Sequence, residues 1–123
     1  MNIREVSQKY ALSVDTLRYY ERIGLLPPIP RDQKGHRDYS PYDENWVFYV
    51  KAMREAGIAI ETLIAYVALF QEGKQTIPAR KELLLGQRAD LAARIEQMQA
   101  VLARLDRKID GYEERVLKYE DEL

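Results

Sequence analysis

Cysteine is absent from the chain, and histidine and tryptophan occur once each, as His36 and Trp46. Without cysteine there is no disulfide, no thiolate metal site and no sulfur nucleophile, a composition that suits a reducing cytosol. With one imidazole, acid–base catalysis would fall to carboxylates that show no convergent arrangement, and neither a glycine-rich phosphate loop nor an HExxH pair is present. No catalytic residue, no metal site and no cofactor are therefore expected. Long apolar runs are missing as well. The longest uncharged stretch, Thr62 to Gln71, is too short to cross a bilayer, and MNIREVSQKY at the start has no apolar run behind its basic residues. A cytoplasmic protein without a membrane partner is the expectation. Large net charge is lacking too: the total is −1, which is not that of a bulk polycation, yet residues 13–39 alone hold five basic side chains, Arg18, Arg22, Arg31, Lys34 and Arg37.

The densest chemistry lies in that interval. Ser13 to Gly24, SVDTLRYYERIG, opens with a serine able to cap a helix and continues with Leu17, Tyr20 and Gly24 along one inward edge. The outward edge carries Ser13, Thr16, Arg18, Tyr19 and Arg22, hydroxyls and guanidiniums of the kind that grip a nucleic-acid backbone and read base edges. Tyr20 reads as a core aromatic and Tyr19, beside Arg18, as a phosphate contact. Thr16 stands near the N-terminal end of this helix, where a reading helix meets bases.

Upstream, Ile3, Val6 and Tyr10 recur at helical spacing, and Ala11-Leu12 fits the tight joint of two helices, so residues 2–23 read as a helix-turn-helix. Downstream, Pro27, Pro28 and Pro30 stop the second helix, and Arg31 to Tyr39 reads as a hairpin with Lys34-Gly35 at its tip, making residues 27–39 a basic wing. Lys34, His36 and Arg37 are assigned to its DNA-facing side. Tyr39 divides evenly between a DNA contact and a cross-strand partner of Arg37. His36 reads as an exposed or backbone-contacting side chain of the wing, not as a metal ligand.

Ser40-Pro41-Tyr42-Asp43-Glu44 is a helix start, with a capping serine, proline in the first turn and acids near the positive helix end. That helix runs to a stop at Gly57, and a second, from Ile60, carries the stripe Leu63, Ile64, Val67 and Phe70, so two helices occupy 41–72. Trp46, Tyr49, Lys51 and Arg54 are further candidates to lie near a DNA backbone. The rest reads as a single helix, 76–120, capped by Thr76. In it Leu91, Ile95, Met98, Leu102, Leu105, Ile109, Tyr112 and Val116 step alternately by four and three, a coiled-coil seam with Gly111 inside it. Such a helix would be about 60 Å long, more than the small first domain (1–74) can cover, and the simplest cover is a second copy of the chain.

TLRYYERIGLL, followed by Pro28, Arg31, Gly35, Arg37 and Tyr39, resembles the signature of MerR-type transcriptional regulators. NWVFYVKAMREAG and the later LFQEGKQTIPARKELL extend the resemblance toward the aldehyde- and nitrosative-stress-responsive NmlR/AdhR branch. Two positions depart from it: His36 stands where the family often has tyrosine, and Ala52 stands where the branch carries its sensor cysteine. The resemblance implies a mainly α fold, a winged helix-turn-helix followed by a long C-terminal helix that pairs antiparallel in a homodimer. It also implies double-stranded promoter DNA as partner, with RNA polymerase served indirectly. The dimer would bend and untwist a promoter whose two polymerase elements are spaced too far apart. With no thiol at position 52 the effector is unidentified. The competing reading is a dimeric coiled-coil adaptor whose head binds another protein. Thr16, Arg18, Tyr19, Arg22 and Arg37 together weigh against it, since a protein-binding head has no need of guanidiniums and hydroxyls on both helix and wing.

Overall fold

A computed structural model of the chain describes residues 1–122. It is mainly helical: α1 (Ile3–Tyr10), α2 (Val14–Arg22), α3 (Pro41–Glu55), α4 (Ile60–Glu72), a single 3-10 turn (Lys74–Thr76), α5 (Ile77–Ile109) and α6 (Tyr112–Glu122). Two compact units emerge, Met1–Arg88 and Ala89–Leu123, the first taking in the opening turns of α5.

Each early helix begins where a side chain can satisfy its orphan N–H groups. Asn2 caps α1 in a reciprocal capping box with Glu5, Ser13 caps α2, and Ser40 caps α3 with Asp43 answering from N3. Between α1 and α2 the turn is made by Ala11 in the left-handed conformation (φ 54°), and Ser7 locks it by donating its hydroxyl to the Leu12 carbonyl at 2.5 Å. Glycine at positive φ ends α3 at Gly57 (85°) and α4 at Gly73 (112°).

The core of the first unit joins α1 through Val6, α2 through Leu17, α3 through Trp46, Val47 and Val50, and α4 through Leu63 and Val67. The connection after α2 contributes as much as any helix: Leu25, Leu26 and Ile29 are all buried, so LLPPIP is a core strap as well as a helix stop. The expected wing is present as one antiparallel bridge, Arg31 to Arg37, without a strand among the described residues. Pro27, Pro28 and Pro30 have no N–H to give to a ladder, which leaves little beyond that bridge to pair.

Two expectations for the C-terminal half are corrected. Thr76 does not cap the long helix. Its hydroxyl reaches back to the carbonyls of Leu69 (2.6 Å) and Gly73 (2.7 Å), closing the end of α4. And 76–120 is not one helix: the chain breaks between α5 and α6 at Gly111, whose φ of 68° is left-handed. Arg115 then gathers the carbonyls that α5 leaves open, donating Nη2 to Lys108 at 2.5 Å and to Asp110 at 2.8 Å. On the second unit the seam residues face solvent in the single chain. Met98, Leu102 and Ile109 are 72%, 59% and 68% exposed, Ile95, Leu105 and Tyr112 are also exposed, and Leu91 and Val116 are half-buried.

Candidate nucleic-acid interface

Helix α2 is amphipathic: Leu17 is fully buried and Tyr20 half-buried, while Ser13, Arg18, Tyr19 and Arg22 are exposed and Thr16 lies between. Ser13 works inside the protein as well as at its surface. Its Oγ accepts the Thr16 N–H at 3.0 Å and donates to the Thr16 hydroxyl at 2.8 Å, so the hydrogen free to reach outward is the one on Thr16. Arg22 lies 5.3 Å from the centre of the Tyr19 ring, which braces both side chains on the outer face. Arg18 has Asp15 one turn before it, 3.7 Å from Nη1.

The wing is shaped by Asp32. One carboxylate oxygen accepts the N–H groups of Lys34 and His36, both at 2.9 Å, and Gly35 makes the turn at φ 85°. Lys34 and His36 are thereby left exposed at the tip. At the base, Glu21 of α2 accepts the Arg37 Nε–H at 2.7 Å and the Ile29 N–H at 3.3 Å, with Arg31 Nη2 3.9 Å away. Arg37 is consequently mostly buried along its stem, its side chain 18% exposed.

Helix and wing border a concavity of about 700 Å³ whose lining carries five cations, Arg4, Arg18, Arg31, Lys34 and Arg37, with His36 and a single acid, Asp32. The structure thus brings four of the expected DNA contacts, Arg18, Lys34, His36 and Arg37, to one surface. Ser13, Thr16, Tyr19 and Arg22 lie outside it on α2. Arg4 is not marked by the sequence, and Arg31 is marked as a basic residue of the wing and of the family signature but not as a DNA contact; the signal for Arg4 is its place one residue after Ile3 on an amphipathic first helix.

Tyr39 is corrected. It is 1% exposed, its ring belongs to the core, and its hydroxyl is buried without a hydrogen-bond partner, so it cannot touch a phosphate. Burial pushes its phenol above the ordinary tyrosine value, with nearby Arg37 pulling the other way. Trp46 is corrected in the same way: at 8% exposure it is core, ringed by aromatics of α3 and α4. Ala52 is half-buried on α3 and offers no thiol.

A polar bridge, exposed at its Lys9 end and shielded at Glu44, holds α1 to α3. Lys9 Nζ donates to Glu44 Oε1 at 2.7 Å, and the Tyr10 hydroxyl donates to the same oxygen at 3.1 Å. The Lys9 hydrogen bond holds the Glu44 carboxyl below the usual glutamate range against the opposing effect of burial, and the same bond raises Lys9. The sequence presented Asp43 and Glu44 only as helix-start acids, whereas both are buried. Among the described residues no group of side chains is arranged to hold a metal ion, and no helix is long and apolar enough to cross a membrane.

Two family models match the chain: MerR family regulatory protein over residues 2–39, and MerR, DNA binding over residues 49–108. The HTH-type transcriptional regulator AdhR of Bacillus subtilis is 48% identical over 91 residues, 74% of this chain and 65% of AdhR, so the match spans slightly less than two thirds of that relative. A MerR family transcriptional regulator from Listeria monocytogenes, known from a crystal structure, is 49% identical with a TM-score of 0.89, covering 99% of this chain and 92% of that one. HiNmlR, described as a MerR family regulator lacking the sensor domain and solved bound to promoter DNA, is 25% identical with a TM-score of 0.84, covering 92% of this chain and 90% of its own. Matched across helix-turn-helix, wing and the helices that follow, the chain belongs to the MerR family of regulatory proteins.

Proposed function

We propose that the chain is a cytoplasmic, homodimeric transcription regulator that binds a pseudo-palindromic promoter operator in double-stranded DNA. The observation that carries this reading is the convergence of Arg4, Arg18, Arg31, Lys34 and Arg37 on one concave face made by the helix-turn-helix and its wing. A surface that pools several cations within a few side chains of an exposed helix suits a phosphate backbone, the polyanion whose contacts set register and affinity. Arg18, Lys34, His36 and Arg37 hold the backbone in this reading, with Arg4 and Arg31 added. Tyr19 joins them at the backbone, Thr16 reaches toward bases, and Ser13 acts mainly by fixing Thr16. That HiNmlR, of similar fold, was solved bound to promoter DNA supports promoter DNA as the partner.

The exposed seam on the second unit supports a dimer, because a row of apolar side chains left to water is stabilised by a matching row. Two copies supply two reading heads for two half-sites. Distorting the duplex between them costs on the order of 1–6 kcal/mol for smooth bending, which backbone contacts on both heads must offset. Control of transcription then follows from the shape imposed on the promoter, with polymerase affected indirectly, in a stress response signalled without a thiol at position 52. The test is selection of bound duplexes from a random pool. Enrichment of a two-fold symmetric site is the expected result, and recovery of unrelated sequences with no half-site spacing would refute the proposal.

A further inference from the structure

Away from the basic face, α3, α4 and the first turns of α5 border an open pocket of about 280 Å³ walled by Tyr42, Trp46, Tyr49, Tyr66, Phe70 and Arg80. Its rings are fixed by one another. Trp46 stands edge-on to Phe70 at 5.3 Å and to Tyr49 at 6.2 Å, and lies 5.7 Å from Tyr66, so the walls are set before anything enters. The core accounts for Trp46 but not for an open box of aromatics with a guanidinium at its side.

We propose that this pocket binds a small aromatic carboxylate, the ring held among Trp46, Tyr66 and Phe70 and the carboxylate by Arg80. Shape and size select a flat ligand: the volume is just under the roughly 300–1,000 Å³ of pockets that take drug-sized molecules, which fits one ring with a short substituent. Charge selects the sign. An aromatic box by itself also suits a cation, but here Arg80 already lies 5.2 Å from the Phe70 ring centre, and no acidic side chain lines the pocket to offset a second positive charge. Arg80 is anchored for the task. Its Nε donates to the Thr76 hydroxyl at 3.1 Å and its Nη2 to the Gly73 carbonyl at 3.3 Å, and a guanidinium has further donors beyond those two. Asn45 at the rim adds a neutral polar group.

The chain's single tryptophan sits in the pocket wall and reports directly on occupancy. Trp46 emission is followed while the full chain, without DNA, is titrated with benzoate, with benzamide as neutral isostere and benzylamine as cation. The assay therefore stands or falls independently of the DNA-binding proposal. Expected are a saturable change for benzoate complete by about 1 mM, at least about ten-fold weaker binding of benzamide, and none of benzylamine. Arg80→Gln, with an unchanged circular dichroism spectrum, should weaken benzoate at least about ten-fold. Should that variant fail to fold, the comparison of benzoate with benzamide on the parent chain decides alone. Equal binding of benzoate and benzamide, preference for benzylamine, full benzoate affinity in a folded Arg80→Gln chain, or no saturable response because another copy covers the pocket would each overturn the assignment.

Discussion

Glu21 and Arg37 meet at 2.7 Å across the junction of α2 and the wing, and the same carboxylate receives the Ile29 N–H, so helix and wing are fastened at one side chain. Both members are largely shielded, 15% and 18% exposed, which sets them apart from a surface ion pair. Glu21→Gln keeps the shape but removes the countercharge, and a loss of about 1–3 kcal/mol in urea unfolding is expected. Arg37→Ala should weaken DNA binding on every sequence tested and flatten the salt dependence by a slope of about 1, measured by gel shift over a salt series.

The exposed seam makes a second prediction. Leu102→Glu with Leu105→Glu puts two carboxylates in the middle of an apolar row whose members are 59% and 50% exposed in the single chain. Sedimentation should show a monomer for the double variant and a dimer for the parent; a dimer persisting in the variant would remove the seam from the interface.

Acidification tests the Lys9–Glu44 bridge between α1 and α3. The folded Glu44 carboxyl titrates below its ordinary 4.5, so its contribution to stability is present above that pH and is lost as pH falls through the folded value. Lys9 is raised above its ordinary 10.5, so its contribution holds below that pH and disappears as pH climbs through the folded value. At fixed protein concentration the parent's melting temperature should therefore fall more steeply below pH 4.5 than that of Glu44→Gln.

Ala11 holds a conformation that costs an alanine roughly 1–2 kcal/mol, at φ 54° in the joint of the helix-turn-helix. Ala11→Gly relieves this, though the unfolded chain gains freedom in return. A net stabilisation of up to about 1 kcal/mol in denaturant unfolding is expected, with the joint's geometry unchanged.

Tyr49 and Gln87 form a closed pair in the first unit: the phenol donates to Gln87 Oε1 at 2.6 Å, while Gln87 Nε2 is buried with no partner. Tyr49→Phe leaves the whole amide unsatisfied and should cost about 1–3 kcal/mol. Adding Gln87→Leu should recover most of that loss, since removing both polar partners is close to neutral. A double variant as unstable as the single one would contradict this.

How much of this was readable beforehand differs by region. Caps at Ser13 and Ser40, the stop at Gly57 and the outward set on α2 follow from short-range rules, and those rules held. Tyr39 misled because a tyrosine at the end of a hairpin has the same local signature whether its ring points out or in, and burial is decided by the core cluster assembled from α1 to α4, which no local window shows. Leu25, Leu26 and Ile29 were hidden by the prolines among them, which announce a turn and mask a core strap. Gly111 was visible inside the seam, but heptad spacing continues across it; only the left-handed backbone and the carbonyls gathered by Arg115 show that the helix ends there. The aromatic pocket assembles from α3, α4 and α5, and no single window of sequence contains it.

The Asp32 carboxylate builds the tip of the wing out of main-chain N–H groups alone, those of residues 34 and 36, and Gly35 supplies the bend. The side chains of Gln33 and Lys34 are exposed and take no part in that scaffold, while His36, also exposed, keeps Nδ1 3.9 Å from the other Asp32 carboxylate oxygen. The adjoining positions 33 and 34 thus form an interchangeable cassette. New residues other than proline can be installed there to raise or lower how strongly the wing grips a phosphate backbone, while the frame that carries them stays as it is.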